Sequence, residues 1–139
     1  MEPREPIDPC RCGSGKPPSR CCGPLLAGNP PARTAVALIR SRYVAYVQRN
    51  EPYLLATWHA STRPASLDLE SEPQPRWIGL TVMHFAMQSE DRATVEFMAR
   101  YRLAGRAHRL HETSRFIREA GRWYYLDGEV TDGSPPESR

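Results

Sequence analysis

The sequence predicts an α+β fold in which helices pack on one face of a curved antiparallel sheet, preceded by a small N-terminal zinc knuckle. Three observations carry that expectation. All four cysteines of the 139-residue chain lie between Cys10 and Cys22. A stretch of helical apolar period follows from Thr34. From Trp77 onward the chain becomes a series of strand-like runs separated by short polar turns, so helices come first and a meander second. With 40% apolar side chains, a chain of this length supports one core. The expected organisation is a knuckle over 1–27, a linker over 28–33, the α+β domain over 34–128 and a flexible tail over 129–139.

The knuckle rests on cysteine geometry. Cys21 and Cys22 are adjacent in sequence, so their Cα atoms stand ~3.8 Å apart, whereas an ordinary disulfide needs about 4.4–6.8 Å. A disulfide framework would also spread its cysteines along the chain. Four thiolates converging on one tetrahedral ion fit better, with Cys10 and Cys12 supplying one pair and Cys21 and Cys22 the other. Gly13, Gly15, Pro17 and Pro18 let the loop between the pairs fold back. No histidine precedes His59, so a local site is all-cysteine, which is the closed, structural kind. One structural zinc ion is the expected cofactor; a redox thiol cluster is the rival reading.

The remaining elements follow in order. Gly28 to Arg33 is rich in breakers, and Thr34 is placed to cap a helix. Val36, Ile39, Tyr43, Tyr46 and Val47 recur at helical spacing, predicting a helix over 34–49. Pro52 suits the first turn of a second, short helix ending near Trp58. Residues 66–76 read as a loop or a short helical turn. Strands are expected over 77–88, 93–103, 107–118 and 122–126, with turns at 89–92, Gly105-Arg106 and 119–121.

The formal net charge of +3 falls to about +1 once four thiolates and a divalent ion are counted. That is too little to argue for a nucleic-acid partner from charge alone. No run approaches the ~20 apolar residues of a membrane span, and the first residues lack the apolar core of a secretory signal. A cytoplasmic protein with no membrane span is expected.

The cysteine run resembles the SEC-C motif through Cys10, Cys12, the Cys-Gly-Ser-Gly-Lys string, and Cys21-Cys22-Gly. That motif ends the SecA translocation ATPase, where it binds zinc and serves as a docking element. The resemblance implies a protein partner for the knuckle, with Arg11, Lys16 and Arg20 as the docking surface. Further strings, at 40–46, 57–64, 77–80 and 114–128, resemble the YchJ family of bacterial proteins of unknown function. This implies a central domain similar to the nuclear transport factor 2 (NTF2) fold, a cone of long helix and bent sheet. Longer members carry a second SEC-C motif, and no cysteine follows Cys22 here. The family brings no catalytic residues to transfer, and no catalytic constellation is found.

A cone cavity suggests a small-molecule site. In the third strand, alternation puts Glu112 on the face of Leu110 and Phe116, hence inward. His84 shares a face with Ile78, Leu80 and Val82. His59 follows Trp58 at the end of the second helix. Trp58, His59, His84 and Glu112 are therefore the candidate pocket residues. The competing reading pairs Glu112 with Arg42 or Arg63 and leaves His59 capping a helix end. The aromatic residues Trp58, Trp77, Trp123, Tyr124 and Tyr125 read as core packing more readily than as base-stacking platforms. Arg100, Arg102, Arg109 and Arg115 form either a basic stripe for nucleic acid or an ordinary solvated face.

Overall fold

The computed structural model describes residues 10–28 and 31–131. A 3-10 turn at Pro18–Arg20 and helix α1 (Cys22–Leu26) complete the cysteine loop. Helix α2 spans Ala35–Gln48, and α3 spans Glu51–Ala56. Four antiparallel strands follow, β1 (Arg76–Ser89), β2 (Arg92–Leu103), β3 (Arg106–Glu119) and β4 (Arg122–Val130), arranged in the order β1-β2-β3-β4.

The helix starts are set by side chains. Thr34 Oγ1 accepts from the Ala37 N–H at 3.0 Å, and Asn50 Oδ1 accepts from the Tyr53 N–H at 3.2 Å. α3 ends at Ala56, two residues before the end expected from sequence. The reason is tertiary. The Thr57 carbonyl accepts from the Tyr125 N–H and the His59 N–H donates to the Tyr125 carbonyl, both at 2.8 Å, so the chain leaves the helix to bridge β4.

Helix α2 packs on one face of the sheet, against β1, β2 and β4. Leu38, Ile39, Tyr43 and Val44 meet Val95, Phe97, Ala99 and Phe116 there. β2 alternates as the sequence predicts, with Ala93, Val95, Phe97 and Ala99 buried. β4 runs beyond Leu126 to Val130, where Glu129 and Val130 pair with Thr113 and Glu112. Part of the segment expected to be tail is therefore strand; residues 132–139 lie outside the described residues. Among the described residues, no helix is long and apolar enough to cross a membrane.

β1 departs from simple alternation. Its register with β2 shifts between Trp77 and Gly79, between Val82 and His84, and between Met87 and Ser89. Each shift leaves one residue unpaired and reverses the face of the residues after it. Trp77 and Leu80 thus share the helix-covered face although their spacing is odd, and Ile78 is 51% exposed between them. The same effect corrects the expectation for His84. Met83 is the extra residue, so His84 lies opposite Glu96 on the open face, not beside Leu80 and Val82.

Candidate metal centre and cavity

The cysteine loop closes on itself before it meets the cone. The Gly13 N–H donates to the Cys10 carbonyl at 3.1 Å, and the Cys10 N–H donates to the Lys16 carbonyl at 2.7 Å. This folding brings the four sulfurs of Cys10, Cys12, Cys21 and Cys22 within 4.8 Å of one another. Cys12 Sγ stands 3.5 Å from Cys21 Sγ, which stands 3.8 Å from Cys22 Sγ. Thiolates ~2.3 Å from a tetrahedral ion stand about 3.8 Å apart, so the spacing suits a metal. The cysteines are unbridged, and Cys10, Cys12 and Cys22 are buried.

The electrostatics also call for a cation. A hydrogen bond from Cys22 is the main cause holding the Cys12 thiol down to about 4. The same contact with Cys12, and then burial, pushes the Cys22 thiol up, while burial raises Cys10. Packed this closely, the sulfurs cannot all ionise unless a positive ion joins them. Ser14 Oγ accepts from the Lys16 N–H at 3.2 Å and lies 3.1 Å from Cys21 Sγ, within hydrogen-bond reach of that sulfur.

The loop is fastened to the domain. Arg40 Nη1 donates to the Cys12 carbonyl at 2.7 Å, and Arg11 Nη2 donates to the Trp77 carbonyl at 2.9 Å. Gly13, at φ +86°, lies so close to β1 that a β-carbon would stand 2.9 Å from the Leu80 carbonyl oxygen. Cys10, Cys12 and Cys22 belong to the same core as α2 and the sheet. Arg11, Lys16 and Arg20 are all exposed, but Arg11 is committed to β1.

A cavity of about 250 Å³ lies between α2 and the sheet. Its walls include Tyr43, Tyr46, Trp77, Phe97 and Tyr125. Glu112 faces it, as the alternation of β3 predicts. The Glu112 carboxylate accepts from the Ser114 hydroxyl at 2.8 Å and the Tyr125 hydroxyl at 3.3 Å. Glu112 has no salt bridge among the described residues, which overturns the expected ion pair with Arg42 or Arg63. Arg63 instead donates to the Trp58 carbonyl at 3.1 Å.

Arg42 also lines the cavity, at 4% exposure. Its Nη1 donates to the Leu54 carbonyl at 2.8 Å and lies 2.7 Å from Thr57 Oγ1. The guanidinium carbon stands 4.5 Å from the Tyr125 ring centre and 5.1 Å from that of Trp58, so two π-faces replace a carboxylate partner. Burial holds the Arg42 pKa below its ordinary value. Burial raises the phenols of Tyr43 and Tyr46, and burial followed by the Glu112 charge raises that of Tyr125. The Tyr43 hydroxyl is buried without a hydrogen-bond partner among the described residues.

Of the four residues expected in a pocket, only Glu112 reaches this cavity. Trp58 packs edge-on against Tyr125 at 5.0 Å, outside the cavity lining. His59 is held elsewhere, with Nε2 2.9 Å from Glu119 and Nδ1 2.7 Å from Ser61 Oγ. His84 is on the open face. The sequence suggested Arg42 only as an ion partner for Glu112; its place in the cavity wall had a signal too, since Arg42 lies between Ile39 and Tyr46 on the apolar stripe of α2.

The fold and site together define a class, a small α+β cone whose N-terminal four-cysteine knuckle is packed into its core. The model of the YchJ middle NTF2-like domain matches residues 34–128, and the chain belongs to the YchJ family. A UPF0225 protein of Methylibium petroleiphilum is 52% identical over 134 residues, covering 94% of this chain and 96% of that one. A UPF0225 protein of Polaromonas naphthalenivorans is 52% identical over 133 residues, covering 87% and 96%. The solution structure of a SEC-C motif containing protein from Rhodopseudomonas palustris has a TM-score of 0.81 at 37% identity, covering 90% of this chain and 100% of that one. The crystal structure of a SEC-C motif containing protein from Psychrobacter arcticus has a TM-score of 0.74 at 27% identity, covering 92% and 85%.

Proposed function

We propose that the protein binds a small, uncharged, flat organic molecule in the cone cavity, and that the knuckle is a zinc-held brace for one wall of that cavity. The observation that carries this reading is a cavity with aromatic walls onto which the Glu112 carboxylate faces, with no ion pair among the described residues. A few convergent polar groups in an apolar concavity are the ordinary make-up of a ligand site. Arg42 and Glu112 already place one charge of each sign at the cavity, which favours a neutral occupant. Glu112 would accept from a donor on it. The knuckle's role as brace follows from the Arg11 bond to the Trp77 carbonyl and the close approach of Gly13 to Leu80, because Trp77 and Leu80 both line the cavity.

The test is a screen of aromatic fragments against the metal-loaded protein, read by the Trp77 indole resonance. Glu112→Gln should weaken a bound fragment by roughly tenfold, the worth of one buried hydrogen bond. If no fragment moves that resonance, or the variant binds as the parent does, the reading fails. For the metal, elemental analysis should find one zinc per chain.

A second reading, that the knuckle docks another protein, is favoured by the exposed Lys16 and Arg20, neither of which is salt-bridged among the described residues. Charge reversal at both, with metal content unchanged, should abolish capture of that partner. If every partner is still retained, the docking reading is wrong.

A further inference from the structure

The open face of the sheet separates its charges along the strands. Arg115 is neutralised by Asp127 at 2.6 Å, with Glu129 at 3.8 Å, and Glu96 meets His111 at 2.6 Å. Toward the β2–β3 turn the pattern changes. Arg76 lies directly opposite Arg102, and Arg100 directly opposite Arg109. Directly opposed residues share a face, so register alone puts these four guanidinium groups on one side of three adjacent strands. All four are exposed, and none forms a salt bridge among the described residues.

Like charges directly opposite each other destabilise a sheet, and here the arrangement occurs in two neighbouring cross-strand pairs. Gly79 adds to it. A β-carbon there would stand 2.9 Å from Arg100 Nη2, so the missing side chain lets the guanidinium lie along the sheet surface. The helices pack on the other face, which leaves this one open. Arg11, anchored on the Trp77 carbonyl, brings a further positive group to the first residues of β1.

We propose that Arg76, Arg100, Arg102 and Arg109 form a binding surface for the phosphodiester backbone of single-stranded nucleic acid. Guanidinium forks match phosphate oxygens in pairs. The patch spans three strands, ~10 Å, by two residues along a strand, ~7 Å. That is room for a few consecutive phosphates. The sheet face offers no helix or ribbon to enter a duplex groove, so a single strand suits it better. The small net charge concealed this, because the acidic residues that balance it lie elsewhere in the fold.

The experiment titrates the metal-loaded full chain into a fluorescein-labelled mixed-sequence 12-nucleotide RNA and reads anisotropy at 50 and 200 mM KCl. Three phosphates neutralised give a log–log salt slope of about −2, hence roughly 20-fold weaker binding at the higher salt. Arg102→Gln combined with Arg109→Gln should weaken binding at least tenfold at 50 mM KCl while leaving thermal unfolding and metal content unchanged. Arg122→Gln, at the far end of the sheet, should bind as the parent does. No binding at 50 mM KCl, binding indifferent to salt, or equal loss in the Arg122 variant would overturn the proposal. Binding to phosphatidylserine vesicles but not to the RNA would overturn it too, assigning the patch to a membrane surface.

Discussion

The Glu112 carboxylate lies over Gly128 of the neighbouring strand so closely that no β-carbon fits beneath it. The two residues are on the same face of β3 and β4, since Ser114 pairs with Gly128 and Glu112 lies two residues along. An inward carboxylate therefore comes with a missing side chain next door, which sets where its oxygens point. One of them, Oε2, meets the hydroxyls of Ser114 and Tyr125.

Gly128→Ala should accordingly destabilise the protein by roughly 1–3 kcal/mol, the usual penalty for overpacking. In a Glu112→Ala background the same substitution should be nearly neutral, because the obstructing group is gone. Urea denaturation of the four proteins of this cycle measures the coupling. Equal effects in both backgrounds would show that the carboxylate does not rest there.

Metal removal should loosen more than a loop. Because Cys10, Cys12 and Cys22 share the core with α2 and the sheet, stripping the ion or introducing Cys12→Ser should lower the unfolding temperature of the whole domain. Free energies of about 10–16 kcal/mol accompany zinc binding in isolated fingers, so a loss of several kcal/mol is expected here. The expected companion change is in the Trp77 fluorescence, since Arg11 ties the knuckle to that residue. A domain that melts unchanged after chelation would contradict the brace.

Alkaline titration offers a test of the cavity walls. The phenols of Tyr43, Tyr46 and Tyr125 are all raised, in each case chiefly by burial. A group raised on folding stabilises fully below its unfolded value, ~10 for tyrosine. Above that pH the unfolded chain ionises first, and stability is lost as pH rises toward the folded values. Unfolding free energy should fall steadily above pH ~10, and absorbance at the phenolate band should show these tyrosines ionising only as the protein unfolds. Titration of every tyrosine near its ordinary value in folded protein would show an open, wet cavity.

Arg42→Met removes the donor that holds the Leu54 carbonyl and Thr57 at the end of α3. The expected loss is about 2–4 kcal/mol, from hydrogen bonds of a charged group and the acceptors left unpaired. Arg42→Lys should recover little, because a lysine cannot bond Leu54 and Thr57 while presenting a flat cation to two rings. Amide exchange at Thr57 to His59 locates the damage.

The α+β order, the cysteine cluster and the inward turn of Glu112 were legible because each depends on near neighbours in sequence. Helical stripes, strand alternation and metal-ligand spacing all repeat within a few residues. The placement of His84 was not legible. Its face depends on an unpaired Met83, and a bulge shows only against the partner strand. The early end of α3 likewise depends on β4, a segment far later in the chain.

By itself the sequence determined the class of fold, the four sulfurs and the one carboxylate turned inward, since local periodicity and spacing suffice for these. Only the tertiary structure decided that Arg42 lines the cavity without an ion pair to Glu112, that Trp58 and His59 do not reach it, and that Arg76 joins Arg100, Arg102 and Arg109 on the open face while Asp127 takes Arg115. Those outcomes depend on strand register and on contacts between distant segments, which residue spacing along one strand or helix does not encode.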